Sequence, residues 1–173
     1  MNDFTRLKVG DKVLLNGTVF TARDKAHLFL LENHFPKIKN SLIYHCGPLI
    51  KNNMVVAAGP TTSSRLNSYT PKLIEKYNIK AIIGKGGMDD TVLRALKGKA
   101  VYFSAVGGAA LVYAKSMKVK NVYKKEFGMC EAIWELGVKN FPVIVTMDSK
   151  GNSLHRDILT RSKKALERKP VSF

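Results

Sequence analysis

The chain has 173 residues, of which 45% are hydrophobic and 24% are charged, and its formal net charge is +16. These proportions are typical of a globular protein and predict one domain over residues 1–173 instead of a disordered chain. The excess of basic residues indicates an anionic substrate or partner. No apolar run reaches the roughly 20 residues that a membrane helix needs, and residues 1–10 lack the apolar segment of a signal peptide. With only two cysteines, Cys46 and Cys130, a disulfide framework is excluded, and we expect a cytoplasmic protein.

The first predicted elements are β-strands. Apolar runs at residues 12–15 and 18–21 flank Asn16-Gly17, and this dipeptide between apolar runs predicts a hairpin turn because both residues tolerate a positive φ. A helix is predicted to follow, with Asp24 as its cap. It should end near Phe35-Pro36, since proline does not continue a helix.

The middle of the chain repeats one pattern three times. Apolar strands at residues 54–58, 80–83 and 100–103 each run into a glycine-containing turn and then a helical segment. Asp89 or Asp90 is expected to cap the second of these helices, predicted over residues 91–96. Continuous apolar strands that alternate with helices predict an α/β fold with a largely parallel sheet buried on both faces. Ligands of such sheets bind beyond the carboxyl ends of the strands, where these turns lie. Further strands are predicted at residues 121–123 and 141–148, and residues 155–173 read as a basic terminal helix.

Two of the turns carry groups that suit an anion. In the turn at residues 59–65, hydroxyl groups and a helix start precede Arg65, whose guanidinium matches a carboxylate. The alternative is a helix cap with Arg65 on a solvated face. Lys85 lies between glycines in the next turn, which does not have the sequence of a phosphate-binding P-loop. It could hold one anionic group, or it could simply be an exposed lysine in a tight turn.

A third candidate follows the first strands. Arg23 and His27 are four residues apart and share a helix face, so an arginine that holds a carboxylate would stand beside a histidine that moves a proton. The alternative is a capped surface helix with an ordinary histidine. Cys46 and Cys130 have no metal-binding spacing. An iron–sulfur cubane needs three or four thiolates, which this chain cannot supply alone.

Taken together, these motifs resemble one known family. In chain order they are Thr21-Ala22-Arg23-Asp24-x-Ala26-His27, His45-Cys46-Gly47-Pro48, Gly59-Pro60-Thr61-Thr62-x-x-Arg65, Gly84-Lys85-Gly86-Gly87-Met88, Gly107-Gly108-Ala109-Ala110, Phe127-Gly128-Met129-x-Glu131-Ala132-Ile133-Trp134, Phe141-Pro142 and Asp148-x-x-Gly151-Asn152. The set resembles the β subunit of two-subunit, iron–sulfur class I fumarate hydratases and of L(+)-tartrate dehydratases. In single-chain class I fumarases it is similar to the C-terminal domain.

The resemblance implies a fold, a partner and a reaction. The fold would be a three-layer β/β/α "swivelling" domain. The partner would be an α subunit that carries a 4Fe–4S cluster, in an assembly of the α2β2 type, with the active site between the two kinds of subunit. The reaction would be the reversible hydration of fumarate to malate, and the chain would bind the dicarboxylate but no metal of its own.

The same resemblance implies roles for five residues. Arg23 and Arg65 match arginines that clamp substrate carboxylates, and Lys85 matches a lysine that joins them. Thr61 matches a substrate-binding residue proposed to take part in proton abstraction, and His27 matches a histidine with an assigned active-site role. The catalytic acid is expected on the α subunit.

Two alternatives remain open. The glycine-rich lysine turn at residues 84–88 is shared by split fumarases and tartrate dehydratases, so the substrate could be L(+)-tartrate, which would be dehydrated to oxaloacetate. A basic nucleic-acid-binding protein is suggested by the charge alone. It is disfavoured because the basic residues are spread along the chain without a recognised binding motif, and we expect no nucleic-acid partner.

Overall fold

A computed structural model describes residues 3–167. The strands are β1 (Lys12–Thr21), β2 (Leu42–Tyr44), β3 (Leu49–Lys51), β4 (Met54–Ala57), β5 (Ala81–Gly84), β6 (Val101–Ser104), β7 (Met117–Tyr123) and β8 (Ile133–Met147). The α-helices are α1 (Asp24–Glu32), α2 (Thr70–Tyr77), α3 (Asp90–Leu96), α4 (Ala110–Ala114) and α5 (Leu154–Glu167).

Six strands form the central sheet in the order β1-β2-β5-β6-β8-β7. The pairs β1–β2, β2–β5 and β5–β6 are parallel, whereas β8 runs antiparallel to β6 and β7. Strand β8 also pairs with β1, so the sheet closes on itself through this strand. The predicted α/β class with a central sheet is confirmed, and the parallel part is the run of four strands β1-β2-β5-β6.

Both faces of the short parallel strands β2, β5 and β6 are buried, as continuous apolar sequences predict. Ile82 and Tyr102 point to the face covered by α1, α2 and α3, while Ile83 and Phe103 point to the opposite face and pack with residues of β8. Since successive side chains of a strand alternate between faces, each short strand contributes to both apolar clusters. A ligand can therefore approach these strands only at their ends.

The predicted hairpin at Asn16-Gly17 is wrong. Strand β1 continues through both residues and pairs with β8 from Lys12 to Phe20, with an irregularity in register between Leu15 and Gly17. The Asn16 side-chain oxygen accepts a hydrogen bond from the backbone N–H of Asn140 on β8 at 2.9 Å. A bulge uses the same permissive residues as a turn, and the partner strand lies far away in the sequence.

Two further differences concern the strands. Strand β4 does not join the central sheet but pairs with β3 in a separate hairpin, whose turn residues Asn52 and Asn53 both have positive φ. Strand β8 begins at Ile133, well before the strand predicted at residues 141–148. The first of the three strand–turn–helix repeats therefore starts outside the sheet, while the other two start from β5 and β6.

The helix ends agree in part with the prediction. Asp89 caps α3, because its carboxylate accepts a hydrogen bond from the Val92 N–H at 3.0 Å. The residue at the start of α1 is Arg23, not Asp24, and that helix ends at Glu32. Helix α5 exposes nearly all of its side chains, and residues 168–173 of the predicted terminal helix lie outside the described residues. Across residues 3–167, every helix is too short or too polar to cross a membrane.

Candidate active site

The backbones of Thr61 and Lys85 are joined at the carboxyl end of β5. The Thr61 N–H donates to the His45 carbonyl at 2.7 Å, and the Lys85 N–H donates to the Thr61 carbonyl at 3.1 Å. The Lys85 carbonyl in turn accepts from the Ser63 N–H at 3.0 Å. The turn after β4 thus lies beside Lys85 like one more short strand, which brings two of the predicted motifs together.

Arg65 connects this turn to helix α1. It lies in a single 3₁₀ turn (Ser64–Leu66), and its Nη2 atom is 3.1 Å from Oδ2 of Asp24 in the first turn of α1. Both side chains are partly exposed, so the ion pair contributes little stability in water. Its effect is to hold one edge of the guanidinium and leave the rest of the fork available for a ligand.

Arg23 begins α1 and is held by Glu131. Its Nε atom lies 3.4 Å from Glu131 Oε1, and Oε2 of the same carboxylate accepts from the Lys25 N–H at 3.0 Å. A Cβ built on Gly47 would lie 2.8 Å from Arg23 Nη1 and 2.8 Å from the Cys130 carbonyl oxygen. The arginine therefore crosses Gly47 at a distance that no other residue would allow.

His27 lies beneath these arginines and is completely buried. Its Nδ1 atom donates to the Arg23 carbonyl at 2.7 Å, which leaves Nε2 unprotonated. Within residues 3–167, Nε2 has no hydrogen-bond partner. Burial lowers the pKa of His27 to about 4, so the ring is neutral at neutral pH. The imidazole packs edge-on against His45, with ring centroids 5.1 Å apart.

Lys85 is exposed at the end of β5. Its aliphatic stem passes close to Gly107 in the turn after β6: a Cβ built there would lie 3.0 Å from Lys85 Cδ. Among the described residues, no acidic side chain lies within 4.0 Å of its ammonium. Its charge is therefore free to meet an anion from outside the chain.

Contacts link all five residues predicted for the site. His27 bonds to Arg23, Arg65 pairs with the neighbouring Asp24, and His45 bridges from His27 to Thr61, whose carbonyl holds Lys85. Thr61 is partly exposed and His27 is buried. The structure thus places three cationic groups and one hydroxyl at a common edge, with the histidine behind them.

Sequence analysis missed two kinds of residue at this edge. Glu131, which holds Arg23, lies in one of the quoted motifs. The sequence around Glu131 does not indicate that its carboxylate contacts the start of α1, which is far away in the chain. His45, Ser63 and Tyr102 form a buried hydrogen-bonded group behind Thr61 and Lys85. A polar residue directly after a buried strand, as His45 is, was the available signal for that group.

The cysteines do not form a metal site. Cys46 is buried, and burial raises the pKa of its thiol to about 12, whereas Cys130 is exposed. In the described part of the chain, no group of three or more His, Cys, Asp or Glu side chains could hold a metal ion. The residues present therefore do not fit an iron–sulfur cluster held by this chain alone.

A comparison with known protein families identifies the family of this chain. Residues 1–158 match the family described as Fumarase C-terminus, and the chain belongs to that family. The relatives whose names follow are hydro-lyases or are provisionally named as such.

A Geobacillus stearothermophilus protein, provisionally named a class I fumarate hydratase, is 46% identical over 160 residues. The match covers 88% of this chain but 31% of that protein. A Methanocaldococcus jannaschii protein, provisionally named an L(+)-tartrate dehydratase subunit beta, is 45% identical, with 90% of this chain and 87% of the relative covered. The L(+)-tartrate dehydratase subunit beta of Escherichia coli K12 is 36% identical over 88% of this chain and 81% of its own length.

Proposed function

We propose that this chain is the β subunit of a hydro-lyase that reversibly adds water to fumarate to give malate. The observation that carries the proposal is the grouping of Arg23, Arg65 and Lys85 at one edge of the sheet, linked through the Thr61 backbone and helix α1. A dicarboxylate has two negative ends, and the three cations can meet both. The relatives named as hydratases and dehydratases support the same reaction class.

The cationic residues bind and orient the substrate. A hydrogen bond to a charged group contributes roughly 1.5–3 kcal/mol, so three of them supply a large part of the affinity for a small dianion. Arg23 and Arg65 offer planar forks that match carboxylates, and each is held on one side by a carboxylate of this chain. Lys85 adds a compact ammonium from the turn after β5.

Thr61 is the candidate for proton transfer because its backbone is hydrogen-bonded to Lys85 and the residue is partly exposed. His27 does not reach the surface in this conformation. Its Nδ1–H fixes the Arg23 carbonyl and hence the start of α1. We propose that His27 acts on the reaction through Arg23, and that the catalytic acid comes from a second subunit.

The proposed partner is an α subunit that carries a 4Fe–4S cluster, which would supply Lewis-acid chemistry toward the substrate. Support comes from relatives named as beta subunits and from the lack of a fitting ligand set on residues 3–167. We propose an α2β2-type assembly in the cytoplasm. The helices on one side of the parallel strands and β8 on the other are consistent with the swivelling β/β/α class.

L(+)-tartrate dehydration is the second candidate. It is favoured by the relatives with this name, since the Methanocaldococcus jannaschii protein matches over 87% of its length, unlike the longer fumarate hydratase. Tartrate carries the same two carboxylates with one more hydroxyl than malate, so the same three cations would serve.

Co-expression with the cognate α subunit under anaerobic conditions tests both candidates. We expect fumarate hydration by the assembled complex and none by this chain alone. Preferential turnover of L(+)-tartrate would select the second candidate. An assembled, cluster-loaded complex inactive on both substrates, or robust hydration by the isolated chain, would contradict the proposal.

A further inference from the structure

Three buried side chains meet directly behind Thr61 and Lys85. His45 follows β2, Ser63 lies in the turn after β4, and Tyr102 is on β6, and all three are completely buried. His45 Nδ1 is 2.8 Å from Ser63 Oγ, and Tyr102 Oη is 2.9 Å from that same oxygen. Tyr102 Oη also lies 3.0 Å from the carbonyl oxygen of Gly86.

These atoms form one connected hydrogen-bonded group. The Tyr102 hydroxyl is the donor to Ser63 Oγ and also lies within hydrogen-bond distance of the Gly86 carbonyl oxygen, and Ser63 Oγ pairs in turn with His45 Nδ1. Burial holds the pKa of His45 well below its usual range and raises that of Tyr102, so both groups are neutral. The three residues therefore form a fixed, uncharged chain of hydrogen bonds that ends in the lysine turn.

The backbones of the same residues hold the two site residues. Thr61 N–H donates to the His45 carbonyl, and Ser63 N–H donates to the Lys85 carbonyl, at 2.7 and 3.0 Å. The turn after β4 and the turn after β5 are thus attached to the buried chain through both side-chain and backbone atoms. Movement of either turn would break a buried hydrogen bond, which is costly where no water can replace it.

Gly84 leaves the space that this chain occupies. A Cβ built on Gly84 would overlap Ser63 Oγ and would lie 3.0 Å from Tyr102 Oη and 3.3 Å from His45 Nδ1. The residue before Lys85 must therefore be glycine if the three polar side chains are to meet.

From this geometry we infer that His45, Ser63 and Tyr102 are positioning residues, which set the position of the Thr61 hydroxyl relative to the Lys85 ammonium. None of the three side chains reaches the surface, so they act through the two turns. The inference rests on the proposed function for its effect on catalysis, but the positioning itself can be measured without any substrate.

Tyr102→Phe and Ser63→Ala test the inference, because both keep the buried volume nearly unchanged. Hydrogen exchange of the full chain, followed by NMR, should show the Thr61 and Lys85 amides exchanging about tenfold faster or more in each variant. In the assembled complex, kcat should fall and KM should rise. The double variant should be no worse than the more damaging single one, as expected for members of one network.

Tyr77→Phe is the matched control. Tyr77 is also buried, and its hydroxyl bonds to the carbonyls of Leu30 and Asn33 between α1 and α2, away from the turns. This variant should lose thermal stability but keep normal kcat, KM and Thr61 and Lys85 exchange. Ser63→Ala provides a second test if Tyr102→Phe fails to fold.

The outcomes separate this inference from the proposed function. Unchanged exchange at Thr61 and Lys85 in both folded variants would overturn the positioning role, whatever the activity. If the wild-type complex turns over neither fumarate nor L(+)-tartrate, the proposed function fails, and the exchange rates alone decide the positioning role.

Discussion

The backbone N–H of Lys85 donates a hydrogen bond to the carbonyl oxygen of Thr61 at 3.1 Å. Two residues far apart in the chain are therefore held together by main-chain atoms, independently of their side chains. Since substitution of the Thr61 or Lys85 side chain leaves this bond in place, such variants can test the proposed roles of both residues without separating the two turns.

Lys85→Ala should lower kcat/KM at least about tenfold in the assembled complex, a loss near 1.4 kcal/mol of transition-state stabilisation. The exposed ammonium makes no ion pair within residues 3–167, so its loss should leave stability and subunit association nearly unchanged. Lys85→Arg should restore little, because a guanidinium is longer and flatter than an ammonium.

Lys115→Ala, which removes the same charge from an exposed position at the end of α4, is the control. Steady-state kinetics on both substrates would check these expectations. Equal activity of the two alanine variants would show that only overall positive charge matters and would remove Lys85 from the site.

Arg65→Lys should lower kcat/KM at least about tenfold, although the charge is kept. The Asp24 carboxylate lies 3.1 Å from one nitrogen of the Arg65 guanidinium. A lysine could pair with either Asp24 or the substrate, but its single ammonium cannot form the two parallel hydrogen bonds that a guanidinium donates to a carboxylate. Arg94→Lys on the exposed side of α3 serves as the control. A fall of less than tenfold would mean that Arg65 only caps the turn and its neighbouring helix.

Gly47→Ala should displace Arg23 and raise KM. The added methyl group would meet both the Arg23 side chain and the Cys130 carbonyl oxygen at 2.8 Å, and the second contact is with backbone that cannot swing away. Gly137→Ala is the control, since its nearest contact is the flexible end of Lys120. We expect the first variant to lose activity and the second to keep it. Similar kinetics for both would indicate that the path of Arg23 over Gly47 is unimportant.

The free energy of unfolding should decrease as the pH falls from about 6.5 to about 4. Burial lowers the pKa of His27 to about 4, so between these values the unfolded chain binds a proton that the folded chain rejects. By pH 4.5, His27 alone should remove about 2–3 kcal/mol of the stability present above pH 6.5. His45, whose pKa is lowered by burial as well, acts in the same direction.

Urea unfolding at pH 7 and pH 4.5 would measure this effect. His27→Asn retains a side-chain N–H that can donate to the Arg23 carbonyl but does not titrate, so its pH dependence should be weaker. His34→Asn, at an exposed position, should behave as wild type. An identical pH dependence in His27→Asn and wild type would contradict the assignment of this effect to His27.

The sequence predicted the local features that depend on neighbouring residues. The apolar runs of β5 and β6, the glycine turns after them and the Asp89 cap all follow from short-range preferences, and all are present. The prediction of a hairpin at Asn16-Gly17 was wrong because it also rested on short-range preferences. This dipeptide fits a bulge as well as a turn, and pairing with the distant strand β8 decides between the two.

The sequence by itself determined the α/β class, the family and the set of cationic residues that are candidates for the site. Strand patterns, turn residues and the order of motifs depend only on which residues follow one another in the chain. Tertiary structure alone decided that Glu131 holds Arg23, that His27 is buried and neutral, and that His45, Ser63 and Tyr102 meet behind Lys85. These facts depend on which distant segments pack together and on how much water they exclude. Burial and pairing are properties of the assembled surfaces, so a residue's type and spacing do not specify them.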